Sequence, residues 1–148
     1  MFNRLIIICL IAFASCATTK VAVSESSVLT FEKTPCFGRC PTYKMTIQGN
    51  GKCILVGEKN TAHIGHFEKQ LTKEEVTSIF TDLKNAGYDT LQEKYLSRAT
   101  DLPMTIYSLT ENGKTKSVTS QQGQPESLIE LDKRLSAIAE AEDWKQSE

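Results

Sequence analysis

Tyr43-Lys-Met-Thr-Ile-Gln-Gly-Asn-Gly-Lys-Cys-Ile-Leu-Val56 is the stretch that decides the fold. Tyr43, Met45 and Ile47 alternate with Lys44, Thr46 and Gln48, the period of a half-buried strand. Asn50-Gly51 follows, a dipeptide that tolerates positive φ at both positions and so marks a tight hairpin. A two-residue turn there sets Ile54 opposite Ile47 and Val56 opposite Met45, with those four on one face. Cys53 and Leu55 then fall on the other face, with Gln48 and Thr46. A third strand is expected over Ala62 to Phe67.

Downstream, Thr72-Lys-Glu-Glu75 is a capping box that opens a helix. Val76, Ile79, Phe80 and Leu83 give that helix one apolar face, and Gly87 is its expected stop. A second hairpin is expected from Thr105–Glu111, Asn112-Gly113 and Lys114–Ser120, pairing Glu111 with Lys114 and Tyr107 with Val118 on the core side. Pro125 suits the first turn of a closing helix, whose stripe is Leu128, Leu131, Leu135 and Ile138, with Trp144 beyond it. Hairpins and helices segregate instead of alternating. The class is therefore α+β: an antiparallel sheet of hairpins with two packed helices.

The first sixteen residues give an address. Arg4 is a positive start, Leu5 to Ala14 is unbroken apolar, and Ser15-Cys16 closes the segment. This pattern resembles the lipobox of bacterial lipoproteins, with Phe13 where Leu is usual. The resemblance implies a signal over residues 1–15, lipid on Cys16, and a bacterial envelope location. The expected place is the outer membrane, facing the periplasm. Ordinary cleavage after Ala12-Phe13-Ala14, with Ser15 first, is the alternative. A permanent span is not expected, since ten helical residues cover only about 15 Å of a core roughly 30 Å thick. Residues 16–27 are polar and free of aromatics; they read as the lipidated cysteine and a flexible tether, reaching about 36 Å when stretched. The blunter alternative adds Val21-Ala-Val23 to a sheet edge. Residues 28–148 are then a single domain, large enough for its own core. The formal net charge is −1, and no basic run offers a footprint for nucleic acid.

Thr34-Pro-Cys-Phe-Gly-Arg-Cys-Pro-Thr-Tyr43 resembles the opening signature, C-x-G-x-C-P-x-Y, of a bacterial envelope family known only as a domain of unknown function. The family is similar in carrying a later Thr-Asp-x-Pro segment, here Thr100-Asp101-Leu102-Pro103. The resemblance spans residues 28–145 and implies an envelope protein, often a lipoprotein. It implies no activity and no catalytic residue.

Five cysteines are present. Cys9 leaves with the signal and Cys16 goes to lipid, leaving Cys36, Cys40 and Cys53 with three possible pairings. An oxidising compartment favours a disulfide. Cys36–Cys40 is the expected pair, with Gly38 supplying the backbone shape for a small ring, and Cys53 is expected to be unpaired. Two functional readings compete for these thiols. A redox pair normally has two intervening residues and a βαβ context; here there are three, and no such unit. A zinc site from Cys36, Cys40, His63 and His66 has an acceptable cysteine half, but strand positions three apart point to opposite faces.

Other constellations fail: there is no G-x-S-x-G, no Gly-rich phosphate loop and no H-E-x-x-H. The acids of Glu74-Glu75 and Glu140-Ala-Glu-Asp143 read as helix ends and solvated faces. Asp101 is the acid to watch, as a possible functional loop residue or a simple turn cap before Pro103. The expected function is a non-enzymatic binding or interaction module held to the membrane by lipid, with an envelope protein or ligand as partner and no cofactor or metal. A periplasmic thiol-disulfide protein using Cys36 and Cys40 is the alternative. A hydrolase whose acids meet only on folding is the third.

Overall fold

The computed structural model describes residues 21–99 and 101–148. Eight strands form one sheet: β1 (Val28–Lys33), β2 (Thr42–Gln48), β3 (Lys52–Lys59), β4 (Gly65–Gln70), β5 (Lys94–Tyr95), β6 (Thr105–Glu111), β7 (Lys114–Ser120) and β8 (Lys145–Gln146). Their order is β5-β7-β6-β1-β2-β3-β4-β8. Every neighbouring pair is antiparallel except β5 with β7. The helices are α1 (Lys73–Asn85) and α2 (Glu126–Glu140). This is the α+β class expected from the segregated hairpins and helices.

One face of the sheet and one face of each helix make the core. Leu29 and Phe31 of β1, Tyr43, Met45 and Ile47 of β2, and Tyr107 and Leu109 of β6 join Val76, Ile79, Phe80 and Leu83 of α1. From α2 come Leu128, Leu131, Leu135 and Ala139. Ala139 takes the fourth place in the stripe, four residues after Leu135, while Ile138 packs half-buried beside it. The capping box is complete: the Thr72 hydroxyl accepts from the Glu75 N–H at 3.2 Å and the Glu75 carboxylate accepts from the Thr72 N–H at 2.7 Å. Gly87, at φ +69°, ends α1 as the sequence requires.

The two Asn-Gly hairpins close differently. At Asn112-Gly113 both residues have positive φ, 52° and 73°, and the ladder pairs Glu111 with Lys114 and Tyr107 with Val118, as expected. At Asn50-Gly51 only Gly51 is left-handed. The Gly51 N–H returns to the Gln48 carbonyl at 2.9 Å, so Gly49 belongs to the turn and the loop has three residues. That extra residue moves the expected register by one. Ile47 faces Cys53 and Met45 faces Leu55, while Thr46 faces Ile54 and Lys44 faces Val56. Cys53 and Leu55, expected on the polar side, are fully buried in the core, and Ile54 and Val56 lie on the outer face. Packing at the turn explains the slip. The Gly49 N–H donates to the Ser27 carbonyl at 2.8 Å, and a Cβ on Gly49 would overlap the Ser24 carbonyl.

The third hairpin strand begins later than expected, at Gly65 instead of Ala62. Asn60 turns left-handed at φ 52°, and the backbone of His63 lies against Gly57, leaving no room for a Cβ there. Residues 60–64 are thus a loop. The segment read as tether is described from residue 21. Val23 packs half-buried on the core, the Ser27 N–H closes a turn onto the Ser24 carbonyl at 2.9 Å, and Ser27 is buried. Val21-Ala-Val23 forms no strand. The signal expected over residues 1–15 and the lipid expected on Cys16 lie outside the described residues.

Candidate functional site

The C-terminal end of β1 gathers most of what the sequence singled out. Beyond Lys33, the Thr34 N–H donates to the Met104 carbonyl at 2.9 Å and the Thr34 hydroxyl accepts from the Met104 N–H at 2.8 Å. The chain then enters the small ring closed by a Cys36–Cys40 disulfide, whose Cα atoms are 5.7 Å apart. The Phe37 N–H donates to the Asp101 carbonyl at 3.4 Å, and the Asn60 amide donates to the Cys40 carbonyl at 3.1 Å. The cysteine ring and the Asp101-Leu102-Pro103 stretch, sixty residues apart in sequence, therefore meet in space.

Gly38 is not left-handed, and a Cβ there would meet only Cys36 Sγ at an ordinary 3.7 Å. The ring closes without the glycine conformation expected of it. Asp101 is exposed and contributes its backbone carbonyl; Thr100 lies outside the described residues.

Lys33, the last residue of β1, heads a polar cluster. Lys33 Nζ donates to both oxygens of Asp132, at 2.6 Å each, and to the Thr105 hydroxyl at 3.0 Å. The Tyr107 hydroxyl donates to Asp132 Oδ2 at 2.8 Å, the Ser136 hydroxyl to Oδ1 at 3.3 Å, and the Tyr43 hydroxyl to Ser136 Oγ at 3.4 Å. Burial pushes the Tyr43 phenol up to about 12, with the charges of Glu140 and Asp132 adding to it. Burial and then the Asp132 charge hold the Tyr107 phenol well above its ordinary value. Both hydroxyls stay protonated at neutral pH, so they serve as donors and not as bases. The cluster ties α2 to β1, β2 and β6.

Sequence reasoning missed this cluster, although signals for it exist. Lys33 shares the inward parity of Leu29 and Phe31 along β1, and Asp132 lies four residues after Leu128 on the buried side of α2. A charge at each of two inward positions is a pairing signal.

The other expected residues are dispersed. The His63 ring nitrogen Nε2 lies 2.8 Å from the Ala141 carbonyl and its ring packs tilted against Phe67, while His66 is exposed on β4. With Cys36 and Cys40 joined to each other, the four-residue zinc arrangement does not form. Among the described residues no three His, Cys, Asp or Glu side chains gather around a metal position. Cys53 is free, as expected, but for a different reason from its expected face: it is buried at the start of β3, at the far end of the sheet from the ring. Burial pushes its thiol up to about 12, so it is an inert thiol.

The ring has no helix dipole to activate a thiol, and Arg39 is the one cation between its cysteines. Cys40 is followed by Pro41 and β2, with no helix start at either sulfur. Replacing both cysteines by serine should lower stability by about 2 kcal/mol, the chain-entropy value for so small a ring, and leave a folded domain. Urea unfolding of the double variant measures this. A loss of fold would show that the ring braces far more than its own turn.

A family model described as "Domain of unknown function (DUF6438)" matches residues 27–139. No curated protein matches the chain.

Proposed function

The chain belongs to the DUF6438 family, whose description assigns no function, and from that premise we propose that it is a membrane-anchored bacterial envelope lipoprotein serving as a non-enzymatic binding module. One observation carries the binding part. The large apolar side chains left exposed among the described residues, Phe37, Ile64, Leu96 and Leu102, all come from loops at the disulfide end of the sheet. Exposed apolar side chains on the loops of one end support a contact role for that end. The side chains of the Lys33–Asp132 cluster are committed to one another, as a scaffold needs.

The anchor part rests on the apolar run Leu5–Ala14 and the cysteine after Ala14-Ser15. Residues 1–20 join the domain at its other end, where Val21 and Val23 line a groove with Gly49, Asn50 and Lys73. A tether there would leave the loop end facing outward. Among the described residues no helix is long and apolar enough to cross a membrane.

Intact mass of the membrane fraction tests the anchor. It should show a diacylglyceryl group on an N-terminal Cys16, and Cys16→Ser should move the protein out of that fraction. A soluble, unmodified chain beginning at Ser15 would overturn the lipoprotein reading.

A further inference from the structure

The two helices face each other across a cleft that holds two hollows, of about 500 Å³ and about 400 Å³. Leu71, Ile79, Ala137, Ile138 and Ala141 give the larger one its apolar lining. Ala86 and Leu131 do so for the smaller. Arg134 lines both, and it pairs with Asp82 across the cleft. The α2 side of the smaller hollow runs from Ser127 to Arg134, and that of the larger from Arg134 to Ala141. Their centres are thus seven residues, or about 10 Å, apart along the helix.

Acidic residues collect along this cleft. Glu75, Asp82, Glu130, Glu142 and Asp143 line the hollows against Lys69 and Arg134. Three of the acids are paired: Asp82 with Arg134, Asp143 with Lys69, and Glu130 with Lys133. Glu75 and Glu142 join no ion pair among the described residues. Glu74 and Glu126 add exposed charge in the first turns of the two helices. The hydrogen bonds from Thr72 hold the Glu75 carboxyl below its ordinary value, and the one from Lys69 does so for Asp143, so both are ionised at neutral pH. Other nearby cations belong elsewhere: Lys73 lines a groove with Val21 and Gly49, and Lys145 one with Lys52 and Glu68.

We propose that the cleft between α1 and α2 docks a basic amphipathic helix of a partner protein, with an aliphatic side chain in each hollow and lysines or arginines beside Glu75 and Glu142. The walls select a helix. They are the flanks of α1 and α2, whose backbone groups are paired within each helix, so an extended segment would find no backbone partners there. A helix brings its own bonds and lays one apolar stripe into the groove. Ala86, Ala137 and Ala141 leave room along the walls for the incoming side chains. Anchors seven residues apart on the incoming helix share one face and match the spacing of the hollows. The charge selects the partner. A second copy would bring the same acids on its own helices, and an anionic lipid surface would be repelled. The inference needs neither the lipid anchor nor the contact role of the loop end.

The test titrates the purified full chain with an acetylated, amidated peptide of alanine and lysine that carries two leucines seven positions apart. A counterpart has glutamate in place of lysine. Neither contains tryptophan, so the protein's one tryptophan is the reporter. The Lys69 ammonium, in the lining of the larger hollow, lies 4.8 Å from the centroid of the Trp144 ring. The lysine peptide should bind at least about ten-fold more tightly than its counterpart, gain helix by circular dichroism, and weaken at high salt. Ala137→Arg, at an exposed position on α2, fills the larger hollow with a like charge and should cut affinity at least about ten-fold. Glu142→Gln should cut it about three-fold. Glu93→Gln, beside β5 at the opposite edge of the sheet, should leave it unchanged. Circular dichroism of the free variants checks their folding. Should Ala137→Arg not fold, the comparison of Glu142→Gln with Glu93→Gln decides: a loss in the first alone sustains the proposal, and equal effects overturn it. Equal binding of the two peptides, no binding, binding without gain of helix, or binding indifferent to Ala137→Arg and Glu142→Gln would also overturn it.

Discussion

Asp132→Ala is expected to destabilise the domain by about 2–3 kcal/mol, between the cost of breaking a surface ion pair and that of breaking a fully buried one. The Lys33 and Asp132 side chains are 17% and 25% exposed, and the ammonium meets both carboxylate oxygens. Alanine would leave the Lys33 charge half-buried over the Phe31 ring, 5.1 Å from its centroid, with Thr105 as its remaining hydrogen-bond partner. The Tyr107 and Ser136 hydroxyls would lose their acceptor as well. Paired replacement, Lys33→Met with Asp132→Leu, should recover most of the loss, because it removes both charges from the interior. Urea unfolding of the single and double variants gives both quantities. A single-variant loss under about 1 kcal/mol would mean that solvent screens the pair as it does at a surface.

Asp132 also shows why the site was less legible than the fold. Helices and hairpins announce themselves through local rules. The capping box at Thr72, the stop at Gly87 and the Asn112-Gly113 turn each need only neighbours within a few residues, and each stands as the sequence predicts. The Lys33–Asp132 pair joins residues 99 positions apart. Nothing in the sequence near either residue names the other. The same holds for the contact of the cysteine ring with Asp101, which depends on β1 pairing with β6 across the sheet. The spacing of Cys36 and Cys40 made their pairing readable, but not which side chains surround the ring.

The apolar loop end was illegible for a further reason. Phe37, Ile64, Leu96 and Leu102 come from three separate connections, and single surface hydrophobics carry no signal by themselves. Only the strand order brings the three loops to one end. Exposure of Phe37 could not be read from its position either, since a residue between two bonded cysteines can face inward or outward.

The register of the first hairpin failed on a degenerate pattern. Lys52-Cys-Ile-Leu-Val56 is apolar on both faces, so either face can be buried without penalty from the alternation. A two-residue turn at Asn50-Gly51 would put Ile54 and Val56 inward, and nothing in the alternation opposes it. The choice was made elsewhere, by the chain from Ser24 to Ser27 lying against Gly49 and turning it into the first loop residue. By contrast, Lys114–Ser120 has Val118 as its one large aliphatic residue, and its register was readable at once.

That register gives the second large effect. Leu55→Ala should cost about 2–5 kcal/mol, the range for emptying a closed core position, because Leu55 is fully buried opposite Met45. Ile54→Ala should cost less than about 1 kcal/mol, because Ile54 is half-buried on the outer face between Thr46 and Glu68. The two substitutions remove similar side chains from adjacent residues, so strand propensity and chain position nearly cancel in the comparison. Urea midpoints at unchanged slope would report the difference as stability alone. A reversed order, with Ile54→Ala the more costly, would restore the two-residue turn and put Cys53 on the outer face. Cys53 then offers an independent reading of the same register. In the core its thiol should resist alkylation until the domain unfolds, whereas on the outer face it should react in the native protein. Agreement of the two measurements fixes the register from both sides of the strand, one through a side chain that fills space and one through a side chain that is kept from water.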